Sequence, residues 1–157
     1  MSLIVIGAWA EKNENEPIIA LTVSKETALG FSLSAAEDNL SIQIDWGDGT
    51  LTDKNINKAN TCIQGIPSGT KIIKIYADAT TIKELSLSYC SYLTEVDLSK
   101  CTALKKLSVK ECTKITTFIH PEDATTIESL TIDNSSIKNI DLHEWSGLKN
   151  LKYAPYG

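Results

Sequence analysis

From Ile82 onward the apolar residues return at an interval of eleven, and that interval restricts the possible folds more than any other feature of the chain. They are Ile82, Leu85, Leu87, Cys90, Leu93, Val96, Leu98, Cys101, Leu104, Leu107, Val109, Cys112, Ile115 and Phe118. The template is L-x-L-x-x-C-x-x-L-x-x, starting at Leu85, Val96, Leu107 and Phe118 and continuing less strictly from Leu130, Ile140 and Leu151. Ile73 with Ile75 reads as an earlier member. An L-x-L step has a period of two and predicts a short strand, while the Cys and Leu at three-residue steps fit a bend that turns back over a core.

One such unit cannot stand alone. Burying four apolar side chains contributes about 1.5–3 kcal/mol each, whereas ordering eleven residues costs roughly 1–2 kcal/mol apiece. Stacking is therefore required, which is the energetics of a solenoid. A strand and two bends use up the eleven residues without closing a coil, so two units make one turn of 22. Alternate units then stack: Leu85, Leu107, Leu130 and Leu151 on one parallel sheet, and Ile73, Val96, Phe118 and Ile140 on the opposite one. The expectation is about four coils over residues 77–157.

Ile82-x-x-Leu85-x-Leu87-x-x-Cys90-x-x-Leu93 resembles the leucine-rich repeat signature L-x-x-L-x-L-x-x-N/C-x-x-L. It departs from most of that family in recurring twice per turn, which is similar to the short bacterial type with β-structure on both flanks. The resemblance puts Cys90 and Cys112 at the family's structural Asn/Cys position, with Cys101 opposite, and implies no catalytic role for them. The chain holds four Cys and no short CxxC pair, so a zinc ribbon or a thioredoxin-like site has no ligand spacing to stand on. Free buried thiols are expected.

The first half reads differently. Ile18–Val23, Leu29–Ala35 and Leu40–Trp46 alternate apolar and polar residues, as does Lys71–Tyr76, and each predicts a strand. Ile is frequent, at 19 residues, and Ser plus Thr reach 31, which favours an all-β protein. After the third strand comes Asp45-Trp46-Gly47-Asp48-Gly49-Thr50, a tight turn in which the glycines allow positive φ and the two Asp bond nearby amides. A Ca²⁺ role for Asp45, Asp48 and Asp53 is the weaker alternative, because their spacing is not that of an EF-hand loop. The string resembles the W-G-D-G-T turn of PKD-like, immunoglobulin-type domains, which are extracellular β-sandwiches. The expected organisation is an N-terminal extension at 1–16, a PKD-like β-domain at 17–76 that caps the first coil, and the solenoid. Ala8-Trp9-Ala10 faintly resembles an export cleavage site.

Several functions are disfavoured. All 15 basic residues are Lys and the net charge is -5, so the Arg readers of guanine and phosphate are missing and nucleic acid is not an expected partner. The best apolar run, Leu3 to Ala10, has eight residues, far short of the roughly 18–20 of a membrane span. No nucleophile elbow or phosphate loop occurs. His120 and His143 are the only histidines; a hydrolase built on either, with Glu122, Asp123 and Glu144, is the least favoured reading. No cofactor or metal is expected.

What remains is surface. On the Leu85 sheet the outward positions are Ser86, Ser88, Ser108, Lys110, Thr131 and Asp133, a small-polar face with Tyr89 and Tyr92 beside it. Aromatics next to hydroxyls and carboxylates suit a glycan or a protein partner. The combined resemblances imply a monomeric, non-catalytic binding module at a bacterial surface or in its secretions, facing a host or matrix protein or a glycan. A structural spacer is the alternative.

Overall fold

The computed structural model describes residues 16–156. Its strands are β1 (Ile19–Val23), β2 (Leu29–Ala35), β3 (Leu40–Asp45), β4 (Leu51–Ile56), β5 (Thr61–Gly65), β6 (Ile72–Tyr76), β7 (Ile82–Ser88), β8 (Leu93–Asp97), β9 (Lys106–Lys110), β10 (Thr117–Ile119), β11 (Ser129–Asp133) and β12 (Asn150–Ala154). The described residues are all-β, and among them no helix is long and apolar enough to cross a membrane. The extension at 1–16, with its Ala8-Trp9-Ala10 string, lies outside the described residues except for Glu16.

Two six-stranded sheets face each other, in the orders β10-β8-β1-β6-β3-β4 and β12-β11-β9-β7-β2-β5. The second carries the coils in the register the repeat demands: Leu85 opposite Leu107, Leu107 opposite Leu130 and Leu130 opposite Leu151, all parallel. On the first sheet Val96 lies opposite Phe118, again parallel. The result is a β-solenoid of about three turns.

Two expected members of the first sheet behave otherwise. Ile73 does not stack on Val96; β1 runs between them, antiparallel to both, with Leu21 opposite Ile73 on one side and Val96 on the other. An alternating pattern identifies the buried face of a strand and leaves its neighbour open. Ile140 is not in a strand at all. Its side chain and that of Leu142 still pack on the core, but the backbone turns away where the Asp141 carboxylate accepts the His143 N–H at 2.9 Å. The expected fourth coil is thus not completed, and the first sheet ends on the three-residue β10, a length suited to an edge.

Both sheets continue without a break from the N-terminal strands into the coils. β2 pairs with β5 on one side and with β7 on the other, Leu33 facing Leu85. The first coil therefore lies on hydrogen-bonded strands, and its apolar end is covered by Leu21, Leu33 and their buried neighbours.

Successive layers of the second sheet are stitched by one repeated device. Strands β7, β9 and β11 are each followed by a residue with positive φ, namely Tyr89, Glu111 and Asn134 at 57°, 57° and 49°. Each turns the next residue inward, so that Cys90, Cys112 and Ser135 are buried. Each of these shares its proton between the carbonyl two residues before it and one a layer back: Cys90 Sγ reaches Ser88 at 3.6 Å and Gly30 at 3.7 Å, Cys112 Sγ Lys110 at 3.3 Å and Leu87 at 3.8 Å, and Ser135 Oγ Asp133 and Val109, both at 3.2 Å. In the first case the layer behind is β2, so the N-terminal strand fills the place of a preceding coil. The next position in sequence is Tyr156, too large to turn inward and half exposed. Tyr153 instead reaches across the end, its hydroxyl donating to the Ile137 and Lys138 carbonyls.

Ser135 also accepts the Cys112 N–H at 3.0 Å. Ser135→Ala orphans that buried amide and should cost about 1–3 kcal/mol in urea unfolding. Ser135→Cys, which restores the side chain of the earlier layers, should stay within about 1 kcal/mol of the parent.

Candidate functional site

The outward face of the second sheet is organised in rows because its strands are in register. Ser32 faces Ser86, Ser86 faces Ser108, Ser108 faces Thr131, and Thr131 faces Lys152. With parallel strands about 4.8 Å apart, this is a straight track of hydroxyls. Small side chains here and longer ones in the flanking rows make a trough of about 320 Å³. Ser86, Ser108 and Thr131 form its floor, and Glu84, Lys106 and Lys110 rise beside them, with Asn60 at the end nearest β5. Ser108 was expected at the surface, but it keeps only 8% of its area exposed. It sits mid-floor, shielded on its own strand by Lys106 and Lys110.

The other predicted residues divide. Lys110 and Asp133 are cross-strand neighbours, and Asp133 pairs with Lys152 at 2.8 Å. Ser88, Tyr89 and Tyr92 lie apart from the floor, around a second cleft of about 280 Å³. Glu84 and Lys106 escaped the sequence reading, although both stand one residue before a template Leu, on the same outward face. Asn60 and Lys25, which line the trough and the cleft respectively, come from the N-terminal half, and no repeat announces them.

No family model, curated protein or solved structure matches this chain. The site must be argued from its own chemistry.

The trough and the cleft present hydroxyls, amides and lysines. The histidines sit away from the trough, and the carboxylates expected beside His120 have other partners. His120 places Nδ1 2.7 Å from the Pro121 carbonyl and turns an edge to Trp145, ring centres 5.9 Å apart. Glu122 binds Lys100 at 2.8 Å. Asp123 accepts from the Thr125 hydroxyl and amide, bonds that hold its carboxyl below the usual range. His143 and Glu144 are exposed on a turn.

Asp45 and Asp48 are engaged in their own turn. Asp45 Oδ1 accepts the Gly47 and Gly49 amides at 2.7 and 3.0 Å, and Asp48 Oδ1 accepts the Thr50 amide at 2.9 Å. Among the described residues no group of three or more His, Cys, Asp or Glu is placed to hold a metal ion.

The thiols are graded by burial. Cys90, Cys101 and Cys112 are buried and Cys62, on edge strand β5, is exposed. The neighbouring Cys112 thiol and burial push the Cys90 thiol up, and burial alone pushes Cys101 up to about 12. A maleimide reagent near neutral pH should label Cys62 in the native protein and all four thiols in denaturant; labelling of Cys101 in the native state would contradict its packing.

Proposed function

We propose that this chain is a non-catalytic recognition module of a bacterial surface or secreted protein, and that its ligand lies along the trough over Ser86, Ser108 and Thr131. The observation that carries the reading is the hydroxyl row itself: a polar track across the coil strands, held on a two-sheet frame and flanked by charged groups of both signs. A rigid polar groove gives a ligand hydrogen-bond partners without an ordering cost in the protein. The leucine-rich repeat pattern and the W-G-D-G-T turn add support by resemblance, and their pairing suggests an extracellular setting. A glycan or an extended segment of a host or matrix protein suits the track.

The test is capture of the purified chain on immobilised glycans and extracellular-matrix proteins, alongside Ser86→Arg/Thr131→Arg. Both substitutions project outward, so the variant should fold and lose saturable binding by about tenfold or more. Binding untouched by the double substitution would move the site elsewhere. No capture on either panel would favour the second reading, a spacer, which the unbroken hydrogen bonding of the two sheets also suits.

A further inference from the structure

The cleft beside the trough is built around a tyrosine whose backbone turn the fold uses but whose ring it does not need. Tyr89 stands at φ 57°, a region that is costly for a bulky side chain and easy for Gly or Asn. The corresponding places one and two layers on are held by Glu111 and Asn134, so the turn itself does not call for an aromatic. The Tyr89 backbone is fixed on both sides, the N–H donating to the Lys110 carbonyl at 2.9 Å and the carbonyl accepting from Ser91 at 3.0 Å. Yet the residue is 74% exposed, so the ring gains little from burial. A rigidly rooted, solvent-facing aromatic that neither burial nor the turn requires is the pattern of a contact whose other half is a ligand.

The opposite wall is fixed as well. The Tyr92 carbonyl accepts the Ser24 N–H at 2.9 Å, and Lys25 Nζ sits 4.7 Å from the centre of the Tyr92 ring, a cation–π contact at the surface. Between the walls lie Thr27, Gly30, Ser88 and Ser91, which offer hydroxyls and backbone polar atoms. The volume of about 280 Å³ is at the small end for ligand sites and suits one ring-sized group.

We infer that this cleft is a sugar subsite, in which a neutral pyranose lays its apolar face on Tyr89 and directs its hydroxyls to the Ser and Thr rim. Ser88 belongs both to the rim and to the row Ser88, Lys110, Asp133, so a glycan seated here continues onto the coil face. The inference rests on the recognition-module reading and narrows its ligand to a neutral glycan.

The probes are maltotetraose, cellotetraose, mannotetraose and chitotetraose, titrated by calorimetry and by saturation-transfer NMR. Tyr89→Asn removes the ring and keeps a residue suited to the backbone; Tyr89→Trp keeps a platform. The expected result is saturable binding of at least one sugar by the parent, weakened about tenfold or more in Tyr89→Asn and retained in Tyr89→Trp. A sugar bound equally by the parent and Tyr89→Asn, yet lost in Ser86→Arg/Thr131→Arg, would overturn the subsite and leave the trough standing. Binding of none of the four sugars would also overturn it. The trough reading would then survive if a matrix protein were captured and the double Arg variant abolished that capture, and would fall with the subsite if neither panel bound.

Discussion

Gly47→Ala should be among the most damaging single changes in the chain, costing about 3–5 kcal/mol, the sum of backbone strain and forced overlap. Gly47 has φ +117°, and an added Cβ would stand 2.0 Å from the Ser68 carbonyl oxygen, a backbone atom that cannot swing aside. The contact is reciprocal, since a Cβ on Gly69 would meet the Gly47 carbonyl oxygen at 2.3 Å. The two segments are sewn together at that point: Ser68 N–H donates to Trp46 and Thr70 N–H to Gly47, at 2.9 and 3.0 Å. Gly49 provides the control. It also has positive φ, at +87°, but an added Cβ would meet nothing within 4 Å, so Gly49→Ala should cost only about 1 kcal/mol. Urea unfolding of the two variants checks the account; equal losses would mean that the turn is not a latch.

Cys101→Asp is the second large effect. The side chain is fully buried, and desolvation already lifts its thiol to about 12. A carboxylate there must either be desolvated or take up a proton, and the expected loss is about 4–5 kcal/mol against about 1–2 kcal/mol for Cys101→Ala. The same burial gives the parent an alkaline weakness. The folded pKa is raised above the thiol's ordinary value of 9.0, so the unfolded chain releases its proton first and folding stability falls as pH rises from about 9 towards 12. In Cys101→Ala that part of the fall should vanish, as measured by urea midpoints across the interval.

On the second sheet the coil register was legible to the residue, because shifting Leu107 by one position against Leu85 would turn the apolar face outward; on the first sheet only the step from Val96 to Phe118 was. The N-terminal half offered less. Alternation marked β1, β2, β3 and β6 but could not show that β1 slips between β6 and β8. Strand β4 was invisible, since all its residues but Ile56 are exposed and an edge strand with two wet faces carries no period. At the site, the small-polar face was readable from the outward positions of the template. The cleft was not, because Lys25 and Thr27 reach it from a loop of the other half. The strain at Tyr89 belongs to backbone geometry that composition does not record.

The account stands on the two halves being one hydrogen-bonded body, with β1 and β2 serving as the layer on which the coils are built. Trp46 and Trp145 report on the two halves separately. Trp46 packs on Gly65 and faces Phe31 with ring centres 6.3 Å apart, and Trp145 is buried in the last turn. The measurement is urea unfolding followed by tryptophan fluorescence in two variants, Trp9→Phe/Trp46→Phe and Trp9→Phe/Trp145→Phe, with circular dichroism on each. The predicted result is that, within each variant, fluorescence and circular dichroism trace one transition at one midpoint, whichever half the remaining tryptophan reports on. A fluorescence midpoint separated from the circular dichroism transition, with one half losing structure while the other stays folded, would contradict the continuous two-sheet body.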